Sequence, residues 1–124
     1  MEEGRTYRVE EANALLPGLA QRLTRIREAR QVLLRSAEVV KERVASDPGG
    51  THGGREYWNA SAVLRAELER LAAEDIVLRD PETGLVDFPG EREGRRVWLC
   101  WRLGEDQLGF WHELDSGFIG RRPL

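Results

Sequence analysis

Residue types that often form binding sites are concentrated in the C-terminal third of this 124-residue chain. Three of its four tryptophans lie there, among polar side chains that can bind a ligand or transfer a proton. Aromatic walls with a few polar groups are how small-molecule sites are usually built, although large rings also fill the core of a small sheet. The candidate binding residues are Asp87, Cys100, Trp101, Arg102, Glu105, Trp111, His112, Glu113, Asp115 and Arg121.

One subset of these residues has the chemistry of a metal site. Asp87, Cys100 and His112 supply a carboxylate, a thiol and an imidazole, which are the ligands that Zn²⁺ takes in proteins. In an antiparallel pair, either His112 or Glu113 would stand directly opposite Cys100, depending on the register. No motif spacing identifies such a site. Asp87, Cys100 and His112 are therefore candidate metal ligands, and the sequence specifies no cofactor.

Cys100 is the chain's only cysteine, which excludes an intramolecular disulfide. A Cys100–His112 pair would also fit nucleophilic thiol catalysis. A single cysteine in a strand is more often an inert, buried residue. The sequence therefore does not decide whether the protein is an enzyme.

The first half of the chain has the spacing of amphipathic helices. Apolar residues recur every three or four positions from Leu16 to Val44, and a second series runs from Tyr57 to Leu78. The glycine-rich segment 47–54 separates the two series and predicts a turn. The sequence therefore predicts a long antiparallel helical hairpin, similar to a coiled coil, over residues 10–79.

Three residues disturb this helical pattern. Pro17 must either kink the first helix or begin it. Arg30 and Asp75 interrupt their apolar series, and the folded hairpin would bring them close enough to pair. Alternatively, Arg30 extends from the edge of the helix into solvent.

Beyond a helix breaker at residues 80–84 the pattern alternates between apolar and polar side chains. It predicts strands at 85–88, 96–102 and 109–114, joined by short turns as a three-stranded antiparallel β-meander. The fold class is therefore α+β, a helical hairpin packed on this meander. We expect a single domain over residues 1–124, in which residues 84–124 form a tryptophan-rich β unit and a C-terminal tail.

Apolar side chains occupy both faces of the middle predicted strand. Leu99 and Trp101 share one face, and Trp98 lies on the other. We therefore expect both faces to be covered, one by the helices and one by a partner chain.

Charge and hydropathy exclude several classes of protein. The net charge is −3, and acidic residues lie among the C-terminal arginines, which argues against a nucleic-acid partner. The chain begins with polar residues and contains no apolar run of about 20 residues, so neither secretion nor a membrane partner is indicated. We expect a cytoplasmic protein.

Several segments carry a family resemblance. Residues 7–17 (YRVEEANALLP) resemble the opening of a family of small prokaryotic proteins known as domain of unknown function 2203. Residues 84–89, 97–105, 110–115 and 117–123 resemble its closing blocks. The resemblance covers nearly the whole chain and implies a free-standing one-domain protein. It implies no activity, ligand or catalytic residue.

Two functional hypotheses follow. The first is a non-enzymatic binding or scaffold protein that acts through homo-oligomerisation or through a protein partner. A dimer is the favoured oligomer. The long apolar series and the two apolar sheet faces support this hypothesis. The second is a small-molecule or metal-binding site on the β unit, with hydrolysis as a further option. The sequence favours the first.

Overall fold

A computed structural model describes residues 4–46 and 54–124, without the side chains of 39–46. Within these residues two helices pack against a five-stranded antiparallel sheet, so the predicted α+β class is confirmed. The helices are α1 (Val9–Ser46) and α2 (Arg55–Ala73). The strands are β1 (Val77–Asp80), β2 (Leu85–Arg92), β3 (Arg95–Arg102), β4 (Phe110–His112) and β5 (Arg122–Pro123), and a 3₁₀ turn covers Phe118–Gly120.

The predicted three-stranded meander is wrong, because the sheet has five strands in the order β1-β2-β3-β4-β5. The additional strand β5 has only two residues, of which Pro123 lies opposite Phe110. Such a short edge segment has no alternating pattern from which it could be predicted.

The other additional strand, β1, lies where the sequence predicted the end of the helical region 10–79. Helix α2 ends at Ala73, and Asp75 then adopts the left-handed conformation with φ of 61°. The Asp75 and Ile76 amides donate to the carbonyls of Ala72 and Leu71, each at 3.0 Å, which is the hydrogen bonding of a Schellman motif. Ile76 and Leu71 are both buried and lock this helix end onto the core.

Helix α1 places one face in the core. Its buried residues follow the predicted spacing of three and four through Ala12, Leu16, Leu19, Leu23 and Ile26. The helix begins at Val9 and continues through Pro17, so the alternative in which Pro17 begins the helix is wrong. The predicted turn 47–54 falls mostly outside the described residues, and the hairpin as a whole stays a prediction.

The predicted pairing of Arg30 with Asp75 is also wrong. Arg30 Nη1 donates to Glu82 Oε1 at 2.6 Å, in the turn between β1 and β2. Asp75 is instead the left-handed residue that ends α2. Since α2 stops before the position that the heptad series gave it, Asp75 is not on a helical face at all.

Tertiary contacts fix the sheet against the helices. Val97, Leu99 and Trp101 of β3 are buried on the helix side. Tyr7 packs edge-to-face on Phe88 and donates its hydroxyl hydrogen to the Glu74 carbonyl at 2.7 Å. Neither of the described helices is long and apolar enough to cross a lipid bilayer.

Candidate functional site

The strand register brings the predicted ligands to one face of the sheet. Asp87 lies opposite Cys100, and His112 lies opposite Trp98. Because alternate residues share a face, all four lie on the side turned away from the helices, which we call the outer face. Its central residues are Asp87, Pro89, Trp98, Cys100, Phe110 and His112.

The predicted contact directly across the β3–β4 pair is wrong, because Phe110 occupies the position opposite Cys100. Trp111 lies opposite Leu99, and both are buried on the helix side. This core pairing fixes the register and places His112 diagonally from Cys100, where the two side chains can still meet.

Asp87, Cys100 and His112 nevertheless converge. One potential ligand atom from each residue lies within 4.8 Å of the other two, and no side chain of the three is more than 2% exposed. In a tetrahedral zinc site with bonds of about 2.0–2.3 Å, ligand atoms are about 3.3–3.7 Å apart. The cluster is therefore compact enough to close around an ion with small side-chain adjustments.

The hydrogen-bond partners of His112 indicate which ring nitrogen carries the hydrogen. Nδ1 lies 2.8 Å from the Glu113 carbonyl oxygen, which only accepts, so Nδ1 carries a hydrogen. Nε2 lies 3.0 Å from Asp87 Oδ2, which also accepts. A neutral ring would point the Nε2 lone pair at a carboxylate. With the hydrogen on Nδ1, Nε2 is the ring nitrogen that is available to bind a metal ion.

The Asp87 carboxylate has one paired and one unpaired oxygen. Arg79 Nε donates to Oδ2 at 2.8 Å, and the same oxygen faces His112. Oδ1 is buried and has no hydrogen-bond partner among the described residues. A buried carboxylate oxygen without a partner is costly, and the neighbouring Cys100 thiol is a donor that can supply one to Asp87. Oδ1 is therefore the oxygen that is open to a donor or to a cation.

The Cys100 thiol is held in its neutral form. Burial, together with the neighbouring Asp87 carboxylate, raises the pKa of this thiol to about 12. A thiol with such a pKa is a poor nucleophile at neutral pH, which argues against catalysis by Cys100 alone. A bound metal ion reverses this preference, because it stabilises the thiolate directly.

Arg121 and Glu105 form an ion pair beside the thiol. Arg121 donates to both carboxylate oxygens of Glu105, at 2.7 and 3.2 Å, and its Nη1 lies 3.9 Å from Cys100 Sγ. Burial opposes ionisation of Glu105, but hydrogen bonds from Arg121 and from the Arg102 amide outweigh it and lower the pKa of this carboxyl. The Arg121 guanidinium also stacks on Phe110, 4.0 Å from its ring centroid.

The other candidate residues lie apart from the cluster. Trp101 and Trp111 are buried on the helix side, and Trp101 Nε1 donates to the Glu105 carbonyl at 3.0 Å. Glu113 pairs with Arg95. Arg102 and Asp115 are exposed. The structure thus brings together five of the ten candidates: Asp87, Cys100, Glu105, His112 and Arg121.

Two further residues of the outer face were not among the sequence candidates. Arg79 binds Asp87, and its guanidinium lies 5.0 Å from the centroid of the Trp98 ring. Arg79 was missed because the sequence placed it at the end of a helix. Trp98 could have been found from the alternation of β3, which puts it on the same face as Cys100.

Comparison with known proteins gives a family and no function. No curated protein sequence and no solved structure matches the chain. A family model described as an uncharacterized conserved protein matches residues 5–124, which is nearly the whole sequence. The resemblance of the opening and closing segments is thereby confirmed, and the chain belongs to the uncharacterized conserved protein family DUF2203.

Proposed function

We propose that this protein binds a transition-metal ion, Zn²⁺ foremost, through Asp87, Cys100 and His112. The observation that carries the proposal is the convergence of these three buried side chains on one point of the outer face. A set of one oxygen, one sulfur and one nitrogen suits Zn²⁺, because hard ions such as Mg²⁺ and Ca²⁺ prefer oxygen ligands alone.

The hydrogen bonds around the cluster support the same proposal. Metal-binding histidines usually donate the second ring N–H to a carbonyl or carboxylate, as His112 Nδ1 does to Glu113. Asp87 would bind the ion through Oδ1, which lacks another partner, while Oδ2 keeps its bond to Arg79. The proposal therefore assigns His112 Nε2 and Asp87 Oδ1 as ligand atoms.

The charges are compatible with a divalent ion. The Asp87 carboxylate and a Cys100 thiolate would together neutralise Zn²⁺. Of the two arginines nearby, Arg121 is already paired with Glu105. Because a free thiol ligand persists in a reducing compartment, the proposal includes the cytoplasmic location expected from the sequence.

Three protein ligands leave one tetrahedral position for water, as in catalytic zinc sites. All three ligands are buried, however, so a substrate would reach them only after neighbouring side chains moved. We therefore propose metal binding and leave hydrolysis out of the proposal.

Calorimetric titration of chelator-stripped protein with Zn²⁺ tests this proposal. We expect one ion per chain, and a loss of affinity of at least about tenfold in His112→Ala and in Cys100→Ala. The matched control is His52→Ala, which removes the chain's other histidine and should leave the affinity unchanged. Equal zinc affinity in wild type, His112→Ala and Cys100→Ala would refute the proposal.

A second proposal is that two copies of the chain associate, as the sequence suggested. Four large apolar side chains are exposed within residues 114–124, and Ile119 is 97% exposed. The set is Leu114, Phe118, Ile119 and Leu124. Exposed apolar residues so close in sequence support a protein interface, for which another protein is the alternative occupant.

Sedimentation velocity across a concentration series tests the self-association. We expect a dimer that Ile119→Asp converts to a monomer. Leu34→Asp places the same charge on an exposed leucine of α1 and should leave the dimer intact. A wild-type protein that stays monomeric at every concentration would exclude this proposal and leave the metal proposal unaffected.

A further inference from the structure

A cavity of about 430 Å³ lies at the edge of the sheet, beside the outer face but separate from the metal ligands. It is within the size range of small-molecule sites, about 300–1,000 Å³. Much of its wall is apolar and comes from Ile76, Val77 and Pro89. Two of these are buried: Ile76, which follows the end of α2, and Pro89, which lies in β2. This apolar part of the wall is therefore continuous with the packed interior.

Two arginines give this cavity a positive charge. Arg5 and Arg96 line it, against the single carboxylate that Asp75 contributes. Arg5 uses Nη1 to donate to the Tyr7 hydroxyl at 2.7 Å, which leaves its other N–H groups for a ligand. Within residues 4–46 and 54–124, Arg96 forms no salt bridge. Guanidinium groups in this situation favour an anion such as a carboxylate or a phosphate.

Trp98 adds an aromatic wall to the same cavity. Its indole is half-buried and lines the cavity beside Pro89, which lies directly opposite it in the sheet. Flat aromatic surfaces suit planar ligands, because stacked rings bury large apolar areas at a defined distance.

From these three features we propose that the cavity binds a small planar aromatic anion. The anionic group would be held by Arg5 and Arg96, and the ring would lie against Trp98. The proposal does not rest on the metal proposal, because none of the three metal ligands lines the cavity.

Calorimetry with 2-naphthoate and with its neutral counterpart 2-naphthamide tests this proposal on the chelator-stripped full chain. We expect 2-naphthoate to bind with a Kd below about 1 mM and the amide to bind at least about tenfold more weakly. Arg96→Gln and Trp98→Leu should each weaken 2-naphthoate binding by at least about fivefold. Arg92→Gln is the matched control, because Arg92 is an arginine of β2 that stacks on Trp111 and does not line the cavity.

Each result decides the proposal. Preference for the naphthoate that is lost in Arg96→Gln and kept in Arg92→Gln would support it. Equal affinity for 2-naphthoate and 2-naphthamide would contradict recognition of an anion by the arginines. Unchanged affinity in Trp98→Leu would contradict stacking of the ligand on Trp98. No heat from 2-naphthoate at millimolar concentration would overturn the proposal as a whole, whatever the result with Zn²⁺.

Discussion

Asp87 Oδ2 lies 3.0 Å from His112 Nε2, while the opposite nitrogen of the same imidazole donates to a backbone carbonyl. The ring is thus hydrogen-bonded at Nδ1 and faces a negative charge at Nε2. Both side chains are buried, so bulk water supplies no partner for Asp87 Oδ1, while Oδ2 also accepts from Arg79. A metal ion that also binds Cys100 would satisfy all three groups together.

The first prediction concerns the Cys100 thiol in chelator-stripped protein. Its pKa is raised from 9.0 to about 12 in the folded chain. As pH rises, the unfolded chain therefore loses the thiol proton before the folded chain does. The contribution of the neutral thiol to the free energy of unfolding is complete below pH 9 and falls as pH rises towards 12. We expect the free energy of unfolding to drop by up to about 1.4 kcal/mol per pH unit in this window.

Urea unfolding at pH 8, 9, 10 and 11 measures this effect as the difference between wild type and Cys100→Ala. Other alkaline groups titrate in both proteins and cancel in the comparison. Parallel stability profiles for the two proteins would show that the thiol is not held neutral by the fold.

The second prediction concerns a buried ion cluster between the helices. Arg22 is 7% exposed and donates to Glu67 and Glu74 at 3.0 and 2.9 Å. Its Nη2 has no partner among the described residues. Because Arg22→Ala would remove the buried cation and leave Glu67 and Glu74 only the more exposed Arg25 and Arg70, we expect a cost of about 3 kcal/mol, and a smaller cost for Arg22→Met.

Chemical denaturation of these variants gives the free energies. Arg25→Ala is the comparison, because Arg25 also binds Glu67 but its side chain is 48% exposed, and we expect it to cost less than about 1 kcal/mol. If Arg22→Ala lowered the free energy of unfolding no more than Arg25→Ala does, the buried ion cluster would contribute little to stability.

The third prediction concerns the end of α2. Asp75 adopts a left-handed conformation that glycine occupies without steric cost. We expect Asp75→Gly to raise the free energy of unfolding by about 0.5–1 kcal/mol and Asp75→Ala to lower it, since alanine resists positive φ. Thermal unfolding of the two variants measures both signs. A more stable Asp75→Ala variant would contradict the Schellman assignment.

The fourth prediction separates core from surface tryptophans. Trp101 is 2% exposed, so Trp101→Ala should cost about 3–5 kcal/mol through lost packing and the lost bond to Glu105. Trp58 is 66% exposed, and Trp58→Ala should change stability by less than about 0.5 kcal/mol. Urea denaturation gives both values. Equal costs for the two variants would show that burial of the Trp101 ring does not stabilise the fold.

Local periodicity explains which parts of the fold were predictable. The spacing of three and four in α1 specifies one buried face as far as Ile26, and the structure has that face. Alternation in β3 correctly separates Trp98 and Cys100 from Leu99 and Trp101. These patterns indicate which face of a helix or strand packs against the core, and they are contained within the sequence of that one element.

The missed features depend on contacts distant in sequence. Leu71, Asp75 and Leu78 continue the helical spacing by coincidence, although α2 ends at Ala73 and the chain then pairs with β2 from Val77. Arg22 belongs to the face predicted to be solvated, and only the position of α2 makes it buried.

The candidate metal ligands were named from residue chemistry alone, but their convergence depends on the register between strands. Placement of Trp111 against Leu99 decides that register, and no local signal gives it. Sequence favours a scaffold or oligomer, whereas the geometry of Asp87, Cys100 and His112 favours a metal site.

Absorption spectroscopy of the Co²⁺-substituted protein tests the central proposal most directly. If Cys100 is a ligand, Co²⁺ added to chelator-stripped protein should produce an intense near-ultraviolet thiolate-to-cobalt band at one equivalent. The band should vanish in Cys100→Ser, weaken in His112→Ala and persist in His52→Ala. Wild-type protein that shows only the spectrum of hydrated Co²⁺ would contradict the proposed metal site.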